Sequence, residues 1–191
     1  MAPNATRLLT AEEFYEWTHL PENDNCHCEL ERGQVVQLAR PGKRHGLVCA
    51  NAAGILGNYV AERKRGYVCS NHTGVVVERD PDTVRGPDVM LFEDAQRAED
   101  VDEKYGDHPP LLAIEVLSPN DTTGKLMRRI REQFRFGTRA VWVLDPEARN
   151  VIVYRPGMED RIAEEKEELT GDDILPDFRC RVAEFFVLPG Q

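Results

Sequence analysis

Hydrophobic and polar residues follow one another along the chain in patterns that predict both helices and buried strands. Between residues 45 and 65, apolar side chains recur at the spacing of an amphipathic helix packed on a sheet. Residues 111–117 and 140–144 are apolar runs, which is typical of buried central strands. Between them, Asn120 or Asp121 can cap a further helix. This strand–helix–strand order predicts a right-handed parallel crossover.

Shorter motifs predict the surrounding elements. Thr10 and Glu13 have the spacing of a capping box, which predicts a helix to about Trp17. Residues 28–38 predict a hairpin whose turn lies at residues 31–34. Further strands are predicted at residues 67–69, 74–77, 89–92 and 151–154.

One domain accounts for this order of elements. The 191 residues suit a single domain, residues 1–191, that buries a core without the help of disulfides or metals. We expect an α/β (α+β) fold in which helices flank a mixed β-sheet. The N-terminal helix and hairpin occupy residues 8–40, the core occupies residues 45–155, and a tail with a short helix near its end occupies residues 156–191.

The distribution of charge along the chain indicates whether DNA is a suitable partner. A formal net charge of −10 is a poor match to strong, non-specific DNA binding, which depends on neutralising phosphates. A local basic patch can override the net charge. Residues 125–139 form such a patch, in which Glu132 is the one acid. Its six basic residues are Lys125, Arg128, Arg129, Arg131, Arg135 and Arg139.

The cysteines and the lack of long apolar runs indicate where in the cell the protein is expected. Five cysteines without a framework spacing argue against a secreted disulfide scaffold. Cys26-His27-Cys28 has the look of a metal tract, but a closed zinc site needs a second pair of ligands and none follows at typical spacing. Free thiols at the start of a strand are the alternative. No apolar run reaches the roughly 18 residues that span a bilayer, and the N-terminus has no apolar signal core. We therefore expect a cytoplasmic protein without a membrane partner.

Two acidic residues stand out against their surroundings. Glu115 lies in an otherwise apolar strand, where an ionised carboxylate costs several kcal/mol unless it is paired, protonated or metal-bound. An edge position that faces solvent is the alternative. Asp88 follows Pro87 and opens a strand, and a turn or capping aspartate is its alternative. Two such carboxylates on neighbouring strands suit Mg²⁺ or Mn²⁺, which bind through one or two carboxylates and keep several waters.

Several blocks of the chain carry a likeness to a known family. They lie at residues 10–14, 28–36, 45–46, 86–89, 114–121, 137, 141–146, 173–178 and 184–186. Together they resemble the Uma-type restriction endonucleases, a branch of the PD-(D/E)XK nuclease superfamily. The likeness covers nearly the whole chain, and its Glu-Val-Leu-Ser-Pro block at residues 115–119 is fairly specific.

The resemblance implies a restriction-endonuclease-like core and metal-dependent cleavage of phosphodiester bonds, with DNA as the partner. It makes Asp88 and Glu115 metal ligands for Mg²⁺ or Mn²⁺, and Glu29 matches a family acid that can complete the metal site. The usual nuclease lysine, two residues after the second acid, is replaced by Leu117. In this family a lysine on the following helix substitutes for it, and the matching position here is Arg129.

Basic residues of that helix are therefore the remaining candidates. Lys125 lies one helical turn before Arg129, on the same face. Arginine stays protonated and cannot act as a base, although it can stabilise charge that develops on a phosphate. A solvated basic helix face is the alternative for both residues. His45 is a further candidate, with a capping or surface histidine as its alternative, and Gln133 stands where the family often has tyrosine.

Functions from different classes stay open on the sequence alone. The first is an Mg²⁺-dependent DNA endonuclease, whose cleavage of both strands suggests a homodimer. Its catalytic residues are Asp88, Glu115, Lys125 and Arg129. Its nucleic-acid-binding residues are Lys125, Arg128, Arg131 and Arg135. The second is a module that binds nucleic acid or protein and has lost catalysis together with the lysine. A structural or partner-binding domain without a nucleic-acid role is the third, favoured by the acidic net charge alone.

Overall fold

The computed structural model describes residues 7–23, 25–95, 97–119 and 121–188. Within these ranges the chain forms three α-helices, α1 (Ala11–Thr18), α2 (Lys43–Arg63) and α3 (Thr123–Phe136). The strands are β1 (Cys28–Glu31), β2 (Gln34–Gln37), β3 (Tyr67–Ser70), β4 (Val75–Glu78), β5 (Thr83–Arg85), β6 (Val89–Phe92), β7 (Leu112–Val116), β8 (Ala140–Asp145), β9 (Asn150–Tyr154), β10 (Arg161–Ala163), β11 (Glu168–Gly171) and β12 (Leu175–Arg181). Two short 3₁₀ helices lie at Ala98–Asp100 and Val182–Phe185.

A six-stranded mixed sheet forms the centre, in the order β10-β9-β8-β7-β6-β3. The β7–β8 pair is parallel and the other neighbouring pairs are antiparallel. Helix α3 connects β7 to β8, as the strand–helix–strand pattern predicts. Because β7 lies between β6 and β8, Glu115 is on an inner strand. The alternative of an edge position facing solvent is therefore wrong.

The two faces of this sheet pack against different helices. Helix α2 and the C-terminal 3₁₀ helix cover one face, in an apolar cluster that includes Val48, Leu56, Ile114, Trp142 and Phe185. Helix α3 covers the other face, in a cluster that includes Ala113, Ile130, Val141 and Val143. Since side chains alternate along a strand, Glu115 lies on the face of Ala113, which is the α3 face.

A second sheet, in the order β2-β1-β5-β4, contacts α3 and also packs on the first sheet, where Val75 and Val77 of β4 meet Met90 and Phe92 of β6. One of its faces packs against α1 through Phe14, Leu30 and Val84. Cross-strand neighbours Leu30 and Val84 face α1, so Glu29 and Arg85 lie on the opposite face, toward α3. Helix α3 therefore has an apolar contact with the first sheet and a charged contact with β1 and β5 of the second.

Most of the predicted elements are confirmed. Thr10 and Glu13 form the capping box of α1, and residues 28–37 form the hairpin. Helix α3 ends at Gly137, whose φ of 117° suits glycine. Its N-cap is Thr122, whose hydroxyl accepts from the Lys125 N–H at 3.4 Å. The prediction of Asp121 as the cap is therefore wrong, and Asn120 lies outside the described residues.

Two regions depart from the expected pattern. Strand β5 is not among the strands that the sequence predicts, and it pairs with both β1 and β4. The tail adds β10 to the main sheet and forms a separate hairpin of β11 and β12. Asn51 connects α2 to the tail. Its Nδ2 donates to the carbonyls of Phe185 at 3.1 Å and Val187 at 2.9 Å. Among the described helices, none has the length and apolar character that crossing a bilayer requires.

Candidate active site

Strands β6 and β7 bring two carboxylates together. Their antiparallel register pairs Val89 with Ile114, and the next residues along this register are Asp88 and Glu115. Asp88 is 5 % exposed and Glu115 is 7 % exposed. Both line a cleft of about 420 Å³ that is also lined by the first turns of α3. The two acids, 27 positions apart in the chain, therefore share one buried site.

Asp88 is held by contacts on both of its oxygens. Oδ2 accepts a hydrogen bond from the Val116 N–H at 2.7 Å and lies 3.4 Å from His45 Nε2. Oδ1 lies 3.6 Å from His72 Nε2 and is buried without a hydrogen bond from the described residues. Burial alone would raise the pKa of Asp88, but the hydrogen bond and charge of His45, with the Val116 N–H, outweigh it and hold the pKa below its usual range. Asp88 is thus a fixed, ionised carboxylate with one oxygen free of hydrogen bonds.

For Glu115, in contrast to Asp88, the effect of burial on the pKa outweighs that of the neighbouring cation. Burial raises its pKa to about 8, the nearby Arg129 opposes this rise, and the charges of Asp88 and Glu29 add to it. Arg129 Nε lies 3.7 Å from Glu115 Oε1, too far for a hydrogen bond. A cation placed beside Glu115 would therefore favour its ionised form.

Glu29 and Arg129 join the second sheet to the site. Glu29 Oε1 accepts from the Gly86 N–H at 3.0 Å and from Arg129 Nη2 at 2.9 Å, and Oε2 accepts from Arg85 Nη1 at 3.0 Å. Arg129 therefore bridges Glu29 and Glu115, and the negative charge of Glu115 raises the pKa of Arg129. As a metal ligand, Glu29 would have to give up one of these hydrogen bonds.

Arg85 is the centre of the charged contact with α3. It is 3 % exposed and forms a two-point contact with Glu132, from Nε at 2.7 Å and from Nη2 at 3.1 Å. Arg128 adds a second link, because it binds Glu31 of β1, with one contact at 3.0 Å. The ionic network thus fixes α3 to β1 and β5, and it sets the position of Arg129 over the cleft.

The basic residues of α3 separate into two groups. Lys125 and Arg128 line the cleft together with Arg129. For Lys125 and Arg129, the shared helical face predicts this. The Lys125 ammonium is exposed and forms no ion pair with the described residues. Arg131 and Arg135 are exposed and do not line the cleft. Two of the four predicted nucleic-acid contacts therefore lie beside the carboxylates, and two lie farther along the helix.

Histidines surround the far side of Asp88. His45, in the first turn of α2, contacts Asp88, and that contact raises the pKa of His45. His72, in the turn between β3 and β4, approaches from the other side, and its Nδ1 donates to the Gly86 carbonyl at 3.1 Å. Glycine permits this approach, because a Cβ at Gly86 would lie 2.6 Å from the His72 carbonyl oxygen. The ring of His27 lies 4.4 Å from that of His72.

Comparison with known proteins decides the family. Residues 11–183 match the family model described as "Uma2: Putative restriction endonuclease". The chain belongs to this family. A crystal structure of "a putative nuclease belonging to DUF820 from Anabaena variabilis ATCC 29413" is similar to this Uma2 chain, with a TM-score of 0.73 and 21% sequence identity over 93% of this chain and 97% of that one. The Uma2 chain therefore has the expected restriction-endonuclease-like fold. No curated protein matches it.

The departures of this Uma2 chain from the family pattern have structural explanations. Leu117, two residues after Glu115, packs in the apolar cluster between β7 and α3. Arg129 reaches both Glu29 and Glu115, which a shorter cation at that position would do less well. Gln133 is buried, and its Oε1 accepts from the Thr138 hydroxyl at 2.8 Å. Gln133 therefore supports the end of α3 rather than the cleft.

Sequence reasoning did not single out four residues that border the site. Arg85, His72 and Cys49 carried no prediction, and His27 was considered only as part of the Cys26–Cys28 tract. The structure pairs Cys26 with Cys28. One local signal was present for Cys49: it follows His45 by four positions on a predicted helix, which places both on one face.

Proposed function

We propose that this Uma2 chain is a DNA endonuclease that hydrolyses phosphodiester bonds with Mg²⁺ or Mn²⁺ bound by Asp88 and Glu115. The observation that supports this most strongly is the meeting of two buried carboxylates in one cleft, with Asp88 Oδ1 free of hydrogen bonds from the described residues. Carboxylate oxygens are the ligands these ions prefer. A divalent ion bound here would supply Lewis-acid stabilisation of the phosphate and a more acidic water.

The two carboxylates have different roles in this proposal. Asp88 is ionised and fixed by the Val116 N–H, so it is ready to bind a cation. Glu115 holds its proton more firmly, and it would lose that proton as the cation enters. Glu29 accepts three hydrogen bonds. We therefore favour a role for Glu29 in holding Arg129, with metal binding as the less supported role.

Arg129 and Lys125 act on the phosphate in this proposal. Arg129 stays protonated and cannot take a proton from water, so its contribution is to hold Glu115 and to stabilise charge on the phosphate. Lys125 is exposed at the cleft and forms no ion pair with the described residues. It is therefore placed to meet a phosphate or to assist the attacking water.

The proposed contact with DNA extends along α3. Arg131 and Arg135 are exposed outside the cleft, where phosphates of the same strand would reach them. Arg128 shares its charge with Glu31 and contributes less. Cleavage of both strands is most simply carried out by two copies of the chain, so we include a homodimer in the proposal; sedimentation with and without DNA measures it.

A specific observation favours the second candidate, a binding module without catalysis. Arg129 stands where the family resemblance places a lysine, and it already pairs with two of the three acids. Such a module would keep DNA affinity through α3 and would not cleave DNA under any metal condition.

A cleavage assay on supercoiled DNA separates the two candidates. The wild-type chain is expected to nick or linearise DNA with Mg²⁺ or Mn²⁺ and to stop when a chelator is added. Asp88→Asn is expected to abolish cleavage, and Asp177→Asn is the matched control, since the Asp177 side chain is 95 % exposed. Cleavage by Asp88→Asn at the wild-type rate would refute the assignment. Binding without cleavage by the wild-type chain would select the binding module.

A further inference from the structure

Asp88 lines two adjoining clefts, which share His27, His45 and His72. The first also contains Glu115 and residues of α3. The second, of about 540 Å³, adds Cys49 instead, so that its potential ligands other than Asp88 are nitrogen and sulfur atoms. These ligands belong to His27, His45, Cys49 and His72. Apart from Asp88, none of them is a metal ligand or a phosphate contact in the proposed cleavage.

Three of these side chains meet closely enough to share one ion. His45 and Cys49 lie one turn apart on α2, with His45 Nδ1 3.3 Å from Cys49 Sγ. His45 Nε2 lies 3.4 Å from Asp88 Oδ2. One ligand atom from each of the three residues lies within 4.8 Å of the others, and they are the one such group of three or more within the described ranges.

The neighbouring histidines provide a second, independent observation. His27 Nδ1 lies 3.2 Å from the Ala39 carbonyl and His72 Nδ1 lies 3.1 Å from the Gly86 carbonyl. A carbonyl accepts and cannot donate, so each Nδ1 carries a proton, and the neutral form of each ring would present a lone pair at Nε2. His27 Nε2 is buried without a hydrogen bond from the described residues, and His72 Nε2 faces Asp88 Oδ1 at 3.6 Å. Histidines that ligate metals are oriented in this manner, by a hydrogen bond from the other ring nitrogen.

We infer that His45, Cys49 and Asp88 form a binding site for a transition-metal ion of the Zn²⁺ class, with His72 beside it. Imidazole and thiolate ligands suit Zn²⁺ and Co²⁺, whereas Mg²⁺ prefers oxygen. Three protein ligands are the number found in sites that leave one position open. The site shares Asp88 with the proposed Mg²⁺ site, but it depends on no step of DNA cleavage.

Cobalt is the probe, because a thiolate bound to Co²⁺ gives a charge-transfer absorption in the near ultraviolet. Co²⁺ is titrated into the full chain after removal of metals with a chelator. The expected result is one Co²⁺ per chain with a thiolate band that Zn²⁺ abolishes. Cys49→Ser is expected to remove the band and to weaken Co²⁺ affinity by at least about tenfold. Cys69→Ser, at a free cysteine on β3, is the matched control and is expected to keep the band.

Two more variants keep the test decisive. His45→Gln is expected to weaken Co²⁺ binding as Cys49→Ser does, and the thermal unfolding of each variant shows that it is folded. Glu115→Gln is expected to keep the thiolate band while losing cleavage, so the Co²⁺ site and the nuclease proposal fail separately. A wild-type titration without a thiolate band, or a band that persists in folded Cys49→Ser, would overturn the inference.

Discussion

The burial of Glu115 makes a quantitative prediction about the metal-free protein. Its pKa of about 8 in the folded chain compares with 4.5 for an unperturbed glutamate. The folded state therefore holds this proton more firmly than the unfolded state, and the contribution to stability is largest below about pH 4.5 and falls as pH rises to about 8. At about 1.4 kcal/mol per pKa unit, the full contribution is about 5 kcal/mol, of which about 3 kcal/mol is lost between pH 5.5 and pH 8.

The Glu115→Gln variant isolates this effect. It has no ionising group at the position, so its free energy of unfolding should exceed that of the wild type by an amount that grows by about 3 kcal/mol between pH 5.5 and pH 8. His45 and His27 titrate in both proteins, and their contributions largely cancel in the difference.

Urea denaturation in the presence of a chelator measures this difference at each pH. The exposed Glu159→Gln is the matched control for the substitution itself. If the difference for Glu115→Gln stays constant to within about 1 kcal/mol, the burial argument for this site is wrong.

Two further predictions concern the cations around the cleft. Arg85→Met should lower the free energy of unfolding by about 3–5 kcal/mol, because it removes the buried cation that pairs with both Glu29 and Glu132. The exposed Arg131→Met should change it by less than about 0.5 kcal/mol; equal effects of the two substitutions in urea denaturation would contradict the ionic network. Lys125→Met should weaken DNA binding and reduce the slope of log K against log salt by about 1 without lowering stability, and an unchanged slope would remove Lys125 from the phosphate contact.

Local patterns in the sequence were sufficient to predict much of the fold. The capping box at Thr10 and the apolar run at residues 111–117 act within a few residues of themselves, so the sequence predicts them directly. Glu115 stood out for the same reason, because an ionised acid within an apolar strand is costly unless it is paired, protonated or metal-bound. Strand β5 was missed because three residues carry no periodicity of their own. It forms because β1 and β4 pair with it on both sides.

The environment of the site depends on contacts between distant segments. Asp88 meets Glu115 through the β6–β7 register, which nothing in either segment specifies. The basic patch looked free in sequence, but Arg129 is paired with acids that come from β1 and β7. His72 reaches Asp88 from a turn 16 positions earlier in the chain. Counting charges along the chain could not anticipate these pairings.

The central claim is that one cation bridges Asp88 and Glu115, and Mn²⁺ binding tests it most directly. Free Mn²⁺ is measured by electron paramagnetic resonance during titration of the metal-free wild type, Asp88→Asn, Glu115→Gln and the exposed control Asp177→Asn. We predict a shared Mn²⁺ that loses at least about tenfold in affinity in both Asp88→Asn and Glu115→Gln and keeps its affinity in Asp177→Asn. Wild-type affinity in either of the first two variants would contradict the shared site.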